Sequence, residues 1–371
     1  MSEMRINLDN SAGQGNPSSL HQAGQEAKRA LETARKQVAA LINAKPDEIS
    51  FTSCGTESNN WAIRGIAQAY KTKGRHLILS AIEHPSVSLA IRRLTLDGWD
   101  ATPLPVDKDG RVSPADLKAA LKPETVLVSV MLANGEVGTV QPIAELAAVA
   151  HEHGALLHTD AIAAAGHWPI DVKALGVDAL SLAANQFGGP AGAAALFLRD
   201  GIRILPLLEG GGQEQGGRSG TENTPGIVAM GAAADAAAKT LPERMKRLAT
   251  LRVRLRDGII SKIEHVRVNG SWSARLPHNL HVCVDGVTSE ALVAELDRAG
   301  VAAGLGSACN SKAMRPSHVL KAMGLTDEQA KGALVLTVGD ATTAAEIDQA
   351  LEIIPAVVKR LRAVTALTSR A

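Results

Sequence analysis

The residues best placed to do chemistry follow two short apolar runs of the sequence. Residues 155–158 form the first run, which leads to the carboxylate of Asp160 two positions later. Residues 179–182 form the second, which leads to Gln186 just before a turn of two glycines and a proline. Short apolar runs bounded by turn residues are typical of buried strands, and open α/β sheets bind ligands at the carboxyl ends of their strands. We therefore predict that Asp160 and the turn of Gln186 meet in one site.

A third candidate is a predicted strand that turns directly into a helix. Residues 48–53 are predicted to form the strand, and Cys54, Gly55 and Thr56 open the helix. Free amides at a helix start can bind phosphate, and the hydroxyl of Thr56 adds a donor. Most junctions of this kind bind nothing, so the pattern alone is weak evidence for a phosphate site.

His84 is predicted to lie at another helix start. It follows a predicted strand at residues 76–80, and Pro85 suits the first position of a helix. The strand directs His84 to the same edge of the sheet as Asp160. The alternative is a surface histidine that only caps the helix.

Two glycine-rich segments are too irregular to be strands or helices. Residues 210–223 form a long loop of the kind that is usually functional. Cys309 lies among glycine, serine and alanine, so its thiol is predicted to be exposed, and Lys312 nearby could favour the thiolate. A single loop cysteine with no chemical role is the alternative.

The order of predicted elements indicates two domains. Strands and helices alternate from residue 48 to 200, which favours a mostly parallel, doubly wound sheet. A helix capped by Ser18 or Ser19 is predicted before it. From about Pro242 a long helix, short strands and a closing helix suggest a smaller α+β domain. We therefore assign residues 13–241 to the large domain, and residues 1–12 with 242–371 to the small one.

The composition excludes several classes of protein. A net charge of +1 over 371 residues gives no case for binding nucleic acid or an acidic membrane. No apolar run is long enough for a membrane span and the first residues resemble no signal peptide, so a cytoplasmic location is expected. Cys54, Cys283 and Cys309 are too far apart for a zinc site drawn from cysteine alone, and no metal site is expected.

Longer stretches of the sequence resemble the cysteine desulfurases, which are class V aminotransferases with the fold-type I pyridoxal phosphate fold. The matching segments are FTSCGTESNN at 51–60, HTDA at 158–161, RSGTEN at 218–223 and GSAC at 306–309. The resemblance implies a large domain with a mostly parallel doubly wound sheet, a smaller α+β domain, pyridoxal phosphate as cofactor, a dimer, and a role in sulfur mobilisation for iron–sulfur cluster assembly.

The resemblance also implies roles for residues that this chain retains. Asp160 would hold the pyridine nitrogen, His84 would stack on the pyridine ring, and Cys309 would accept sulfur. Other cofactor contacts are implied for Gly55, Thr56 and Asn134, and for Thr221, which the family donates across the dimer to the neighbouring cofactor phosphate. Arg218 of the same loop is also retained.

The chain departs from the family at the positions that hold cofactor and substrate. Gln186 stands where the family has the lysine that forms the Schiff base, and Val335 stands where an arginine grips the substrate carboxylate. Further departures are Ala183 for serine, Asn185 for histidine, Ala163 for glutamine and Asp340 for a second arginine. An amide nitrogen is not nucleophilic enough to bond the cofactor. Binding of pyridoxal phosphate is therefore in doubt, and any binding is expected to be noncovalent.

Three functions are compatible with these residues. The first is a catalytically impaired partner subunit, in a homodimer or a heterodimer with an intact paralogue, that serves a sulfur acceptor or scaffold protein. The second is an active desulfurase or lyase that holds pyridoxal phosphate loosely and forms a persulfide on Cys309, with Lys312 as a replacement base. The third is a sulfur or metal binding module that uses Cys309.

Overall fold

The larger of two sheets positions the predicted site. The computed structural model describes residues 8–10, 15–306 and 316–368. In the larger sheet the strand order is β1-β7-β6-β5-β4-β2-β3. Its strands are β1 (Ile49–Thr52), β2 (His76–Ser80), β3 (Asp100–Leu104), β4 (Thr125–Ser129), β5 (Leu156–Asp160), β6 (Ala179–Ala183) and β7 (Ala194–Leu198). Strand β7 is antiparallel to both of its neighbours and the other pairs are parallel, which confirms the predicted mostly parallel sheet.

Helices cover both faces of this sheet. They are α1 (Gln22–Leu41), α2 (Gly55–Ala69), α3 (Pro85–Leu96), α4 (Pro114–Ala120), α5 (Ile143–Glu152) and α6 (Val172–Leu175). Every residue of β2, β4 and β6 is buried, as is typical of parallel strands covered on both sides. Neighbouring residues of a strand point to opposite faces, so Leu77 packs in the core with α2 and Ile78 in the core with α1.

The smaller sheet has three antiparallel strands in the order β10-β9-β8. They are β8 (Val266–Asn269), β9 (Asn279–Val284) and β10 (Ala333–Thr337), and the helices of this part are α7 (Thr224–Lys262), α8 (Ser289–Arg298), α9 (His318–Ala322), α10 (Asp327–Ala330) and α11 (Ala344–Thr368). A separate hydrophobic core joins this sheet to α7, α8 and α11. The fold is therefore of the α/β class with a second α+β unit, as predicted.

Two predicted helix starts are wrong. The cap of α1 is His21, whose Nδ1 accepts a hydrogen bond from the amide of Gly24 at 3.3 Å, and not Ser18 or Ser19. Helix α7 begins at Thr224 and continues through Pro242. The change of pattern near Pro242 therefore does not mark the start of this helix, and Pro242 lies inside it. The predicted domain boundary at 241/242 lies inside this helix, and the division into domains stays a prediction.

No helix in the described part of the chain is both long enough and apolar enough to cross a membrane.

Candidate functional site

A cavity of about 540 Å³ lies where the carboxyl ends of the central strands meet the starts of α2 and α3. Its volume is within the roughly 300–1,000 Å³ typical of small-molecule sites. The residues to which the sequence assigned a cofactor contact or the position of the lost lysine and that line it are Gly55, Thr56, His84, Asn134, Asp160 and Gln186. The structure therefore brings these strand ends and helix starts together, as predicted from the sequence.

Asp160 ends β5 as a buried carboxylate. Its Oδ1 accepts a hydrogen bond from the amide of Ile162 at 2.9 Å, and its Oδ2 accepts one from Nδ2 of Asn59 at 2.7 Å. Burial raises the pKa of Asp160, while these two hydrogen bonds act in the opposite direction. A cationic group in the cavity would favour the ionised form, because an opposite charge nearby stabilises a buried carboxylate.

A hydrogen-bond network connects Asp160 to His84. The Nδ2 of Asn59 also donates to Oγ of Ser86 at 2.8 Å, and that Oγ lies 2.7 Å from Nδ1 of His84. The amide of Ser86 donates to the same Nδ1 at 3.1 Å. Because Nδ1 accepts this bond, the proton of the neutral ring lies on Nε2. The network fixes both rotamer and tautomer of His84 relative to Asp160.

The start of α2 offers main-chain donors to the cavity. Its N-cap, Cys54, makes no side-chain capping bond, and no acceptor in the described chain pairs with the amides of Gly55 and Thr56. A Cβ on Gly55 would lie 2.2 Å from Cδ1 of Ile162. Glycine therefore lets the helix start approach the residues that follow β5, where these amides form a site suited to an anion.

Two buried carboxyls in the cavity wall were not predicted. The amide of Met131 donates to Oε1 of Glu83 at 2.7 Å, and Oε2 has no partner in the described chain. Burial, with a smaller contribution from the charge of Asp160, raises the pKa of Glu83 well above its ordinary value. Glu136 accepts from Oγ of Ser317 at 2.8 Å, and burial raises its pKa to about 7. Glu83 lies three residues after the predicted strand at 76–80, a position that could have identified it.

Asn134 lines the cavity but its side chain is bonded within its own loop. Its Oδ1 accepts from the amides of Glu136 and Val137, both at 2.9 Å, and its Nδ2 donates to the carbonyl of Ile82 at 3.2 Å. These contacts brace the loop after β4. The contact between Asn134 and a cofactor stays a prediction.

The turn after β6 presents an amide to the cavity where the family has an amine. Residues Ala184–Gln186 form a short 3-10 turn, and Asn185 and Gln186 are exposed within the cavity wall. His167 Nε2 lies 3.0 Å from the carbonyl oxygen of Gln186 and therefore carries the proton it donates. No lysine or arginine is among the described residues that line the cavity.

Thr221 lies outside this cavity. It lines a smaller pocket with Thr52, Arg218 and Asn223. The loop that carries it is fixed at two points: Nε of Arg218 donates to Glu57 at 2.8 Å, and Glu214 binds both Nη atoms of Arg35 at 2.8 Å. Thr221 therefore does not line the cavity that holds the cofactor-type residues of its own chain.

The remaining predicted residues lie elsewhere. Val335 is in β10 and exchanges two main-chain hydrogen bonds of 2.9 Å with Gly304, so its side chain is not in the cavity wall. Asp340 forms an ion pair with Arg244 at 2.8 Å. Cys309 and Lys312 lie outside the described residues. Among the residues that are described, no group of three or more His, Cys, Asp or Glu could hold a metal ion.

The residues present fit pyridoxal phosphate as a noncovalent ligand. The carboxylate of Asp160 is a suitable partner for a pyridine nitrogen, the amides of Gly55 and Thr56 suit a phosphate, and the ring of His84 lies beside the same cavity. The described wall offers no amine for a covalent bond to the cofactor aldehyde. The site therefore fits the noncovalent part of the cofactor's binding and not the covalent part.

Comparisons with known proteins agree with this geometry. Residues 2–349 match the aminotransferase class-V family. The cysteine desulfurase IscS of Methanosarcina thermophila is 45% identical over 356 residues, which cover 96% of this chain and 88% of that protein. A solved NifS-like protein superposes with a TM-score of 0.87 at 34% identity, covering 93% of this chain and 92% of the other. The structure of SspA in complex with cysteine has a TM-score of 0.77 at 33% identity, covering 89% and 92%.

Proposed function

Because the chain belongs to the aminotransferase class-V family, we propose that it is a cysteine desulfurase-type protein of sulfur mobilisation for iron–sulfur cluster assembly. We also propose that its catalysis is impaired, because Gln186 stands where the family has the lysine that bonds the cofactor. Relatives at 45% identity are cysteine desulfurases, which supports the sulfur chemistry. The observation that carries the impairment is Gln186, exposed in the cavity wall with no lysine among the described lining residues. We further propose a cytoplasmic location.

The cofactor that the family implies is pyridoxal phosphate, which when bound withdraws electrons from an attached amino acid and so activates its bonds. Asp160 would hold the pyridine nitrogen in a charge-assisted hydrogen bond, and the amides of Gly55 and Thr56 would hold the phosphate. His84 would cover the ring in the orientation that Ser86 fixes. These contacts would hold the cofactor without a covalent bond. The amide of Gln186 would not form that bond, because it is not a nucleophile.

The proposed role for such a chain is that of a partner subunit. Thr221 and Arg218 lie apart from the cavity, in a loop that Glu57 and Arg35 hold in place. Because Thr221 does not line the cavity of its own chain, its hydroxyl is proposed to serve the cofactor site of a second subunit. A homodimer or a heterodimer with an intact paralogue would use Thr221 in this way, with Cys309 available to accept sulfur.

An active desulfurase is the second candidate. The network of Asp160, Asn59, Ser86 and His84 is continuous, and a positioned histidine is what proton transfer to and from a substrate requires. In this case the cofactor would be held by noncovalent contacts alone and Cys309 would carry the persulfide.

Turnover separates the two candidates. The purified chain is incubated with pyridoxal phosphate and L-cysteine, and sulfide and alanine are measured. We expect neither product from the chain as it is. Gln186→Lys is the matched variant, because it adds an amine at one position and leaves the network of His84 intact. Its absorbance should move toward the visible on adding the cofactor. Sulfide from the unmodified chain at a rate comparable to the variant's would refute the impairment and favour the active enzyme.

A further inference from the structure

A buried arginine that does not line the cavity, Arg252, has no carboxylate partner in the described chain. Arg252 lies on the inner face of α7 and is 8% exposed. In the described chain no carboxylate forms an ion pair with it and no atom accepts a hydrogen bond from it, and its Nε is fully buried. A buried Nε without an acceptor is unfavourable, because it has lost its water without gaining a hydrogen bond, whereas the two Nη atoms are not among the fully buried unpaired atoms.

Arg252 is one of three arginines around a single exposed indole. Its guanidinium carbon lies 4.8 Å from the ring centre of Trp272, and those of Arg256 and Arg275 lie at 3.9 and 5.9 Å. Trp272 is 45% exposed, so the cluster opens to solvent. Stacking on an aromatic face fixes the plane of a guanidinium and leaves its edge of donors free for a flat or tetrahedral oxyanion.

The protein satisfies two of these arginines and not the third. Arg275 donates to the carbonyls of Ser271, Asn269 and Asn279, and Arg256 pairs with the exposed Asp257 at 2.5 Å. Burial, reinforced by the charge of Arg252, lowers the pKa of Arg275 to about 10, so it is charged at neutral pH.

We propose that Arg252, Arg256 and Trp272 form a binding site for a phosphate-sized oxyanion, distinct from the cavity. The Nη donors of Arg252 supply two adjacent hydrogen bonds, Arg256 lies over the same ring with its charge already paired with Asp257, and Trp272 holds both guanidiniums in place. A phosphate or a carboxylate group satisfies this geometry. A spherical halide ion fits it less well, since two N–H groups of a guanidinium edge can only converge on one ion and cannot each bond a separate oxygen.

Fluorescence of Trp272 reports on this site directly. The other three tryptophans are buried or half-buried, so Trp272 is the tryptophan whose fluorescence responds most to an ion that binds from solvent. Sodium phosphate is titrated into the full chain at constant ionic strength, with sodium acetate and sodium chloride as parallel arms. We expect a saturable change with phosphate, a weaker one with acetate and none with chloride. An equal response to chloride would show charge screening alone and would overturn the site.

Variants of α7 assign the response to Arg252. Arg252→Met should abolish it, whereas Arg254→Gln should keep it, because Arg254 is an exposed arginine of the same helix whose charge Asp348 already balances. Without phosphate, Arg252→Met should be at least as stable as the parent. At a hundredfold excess over its dissociation constant, phosphate should raise the melting temperature of the parent by about 3–5 °C more than that of the variant.

Two outcomes would contradict the proposal even if phosphate also binds at the start of α2. The first is an Arg252→Met chain that keeps the Trp272 response. The second is a large loss of stability in that variant without any anion, which would mean that the protein itself satisfies Arg252. Should the methionine variant not fold, Arg252→Lys keeps the charge without the guanidinium edge and should weaken the phosphate response at least tenfold.

Discussion

Replacing Glu136 by glutamine should change how the stability of the protein depends on pH. Burial raises the pKa of this carboxyl from 4.5 to about 7, and Ser317 donates to its Oε2 at 2.8 Å. Between these two values the folded protein holds a proton that the unfolded chain releases. The stabilisation is therefore full below pH 4.5, declines as the pH rises and is lost above pH 7. The difference in pKa corresponds to about 3 kcal/mol over the whole interval.

The test compares urea unfolding at pH 5 and pH 8 for the parent and Glu136→Gln. A glutamine carbonyl can still accept from Ser317, and it does not titrate. The parent should therefore lose about 2–3 kcal/mol more than the variant between the two pH values. Glu145→Gln, which removes an exposed carboxyl from the first turn of α5, should behave as the parent does. Equal losses in the parent and Glu136→Gln would refute the reasoning, since Glu136 would then be ionised in the folded protein at pH 5.

Three further substitutions test the supports of the site. Glu214→Gln breaks the buried pair with Arg35 and should lower the unfolding free energy by about 3–5 kcal/mol, measured by urea unfolding. Ser86→Ala removes the hydroxyl between Asn59 and His84 and should weaken pyridoxal phosphate binding about tenfold in equilibrium dialysis, with an unchanged circular dichroism spectrum. Thr221→Ala should weaken cofactor binding by at least about tenfold without a change in sedimentation coefficient; unchanged affinity would contradict the proposed donation of Thr221 to a second subunit.

The sequence predicted the strand ends of the site because local patterns determine them. Buried apolar runs followed by polar residues located Asp160 and the turn of Gln186, and Pro85 correctly placed His84 at the start of α3. The start of α7 was predicted too late in the chain, near Pro242, which lies inside the helix. The real signal was Asn223, whose Oδ1 accepts from the amide of Gly226 at 3.2 Å.

The supporting contacts could not be predicted because they join residues far apart in the chain. Asn59 reaches Asp160 across 101 positions, and Glu136 reaches Ser317 across 181. Each of these residues has an ordinary polar side chain that could equally face solvent. Only the folded chain shows that Glu136 is buried, which raises its pKa to about 7, and that the buried Nε of Arg252 has no acceptor among the described residues.

The most direct test of the central claim is the mass of the intact chain after incubation with pyridoxal phosphate and reduction by borohydride. Because an amide occupies position 186, the mass should stay that of the unmodified protein, and dialysis before reduction should remove the cofactor. Gln186→Lys, treated in the same way, should gain the mass of one reduced cofactor. A stoichiometric gain in the unmodified chain, mapped to a single lysine, would contradict the account.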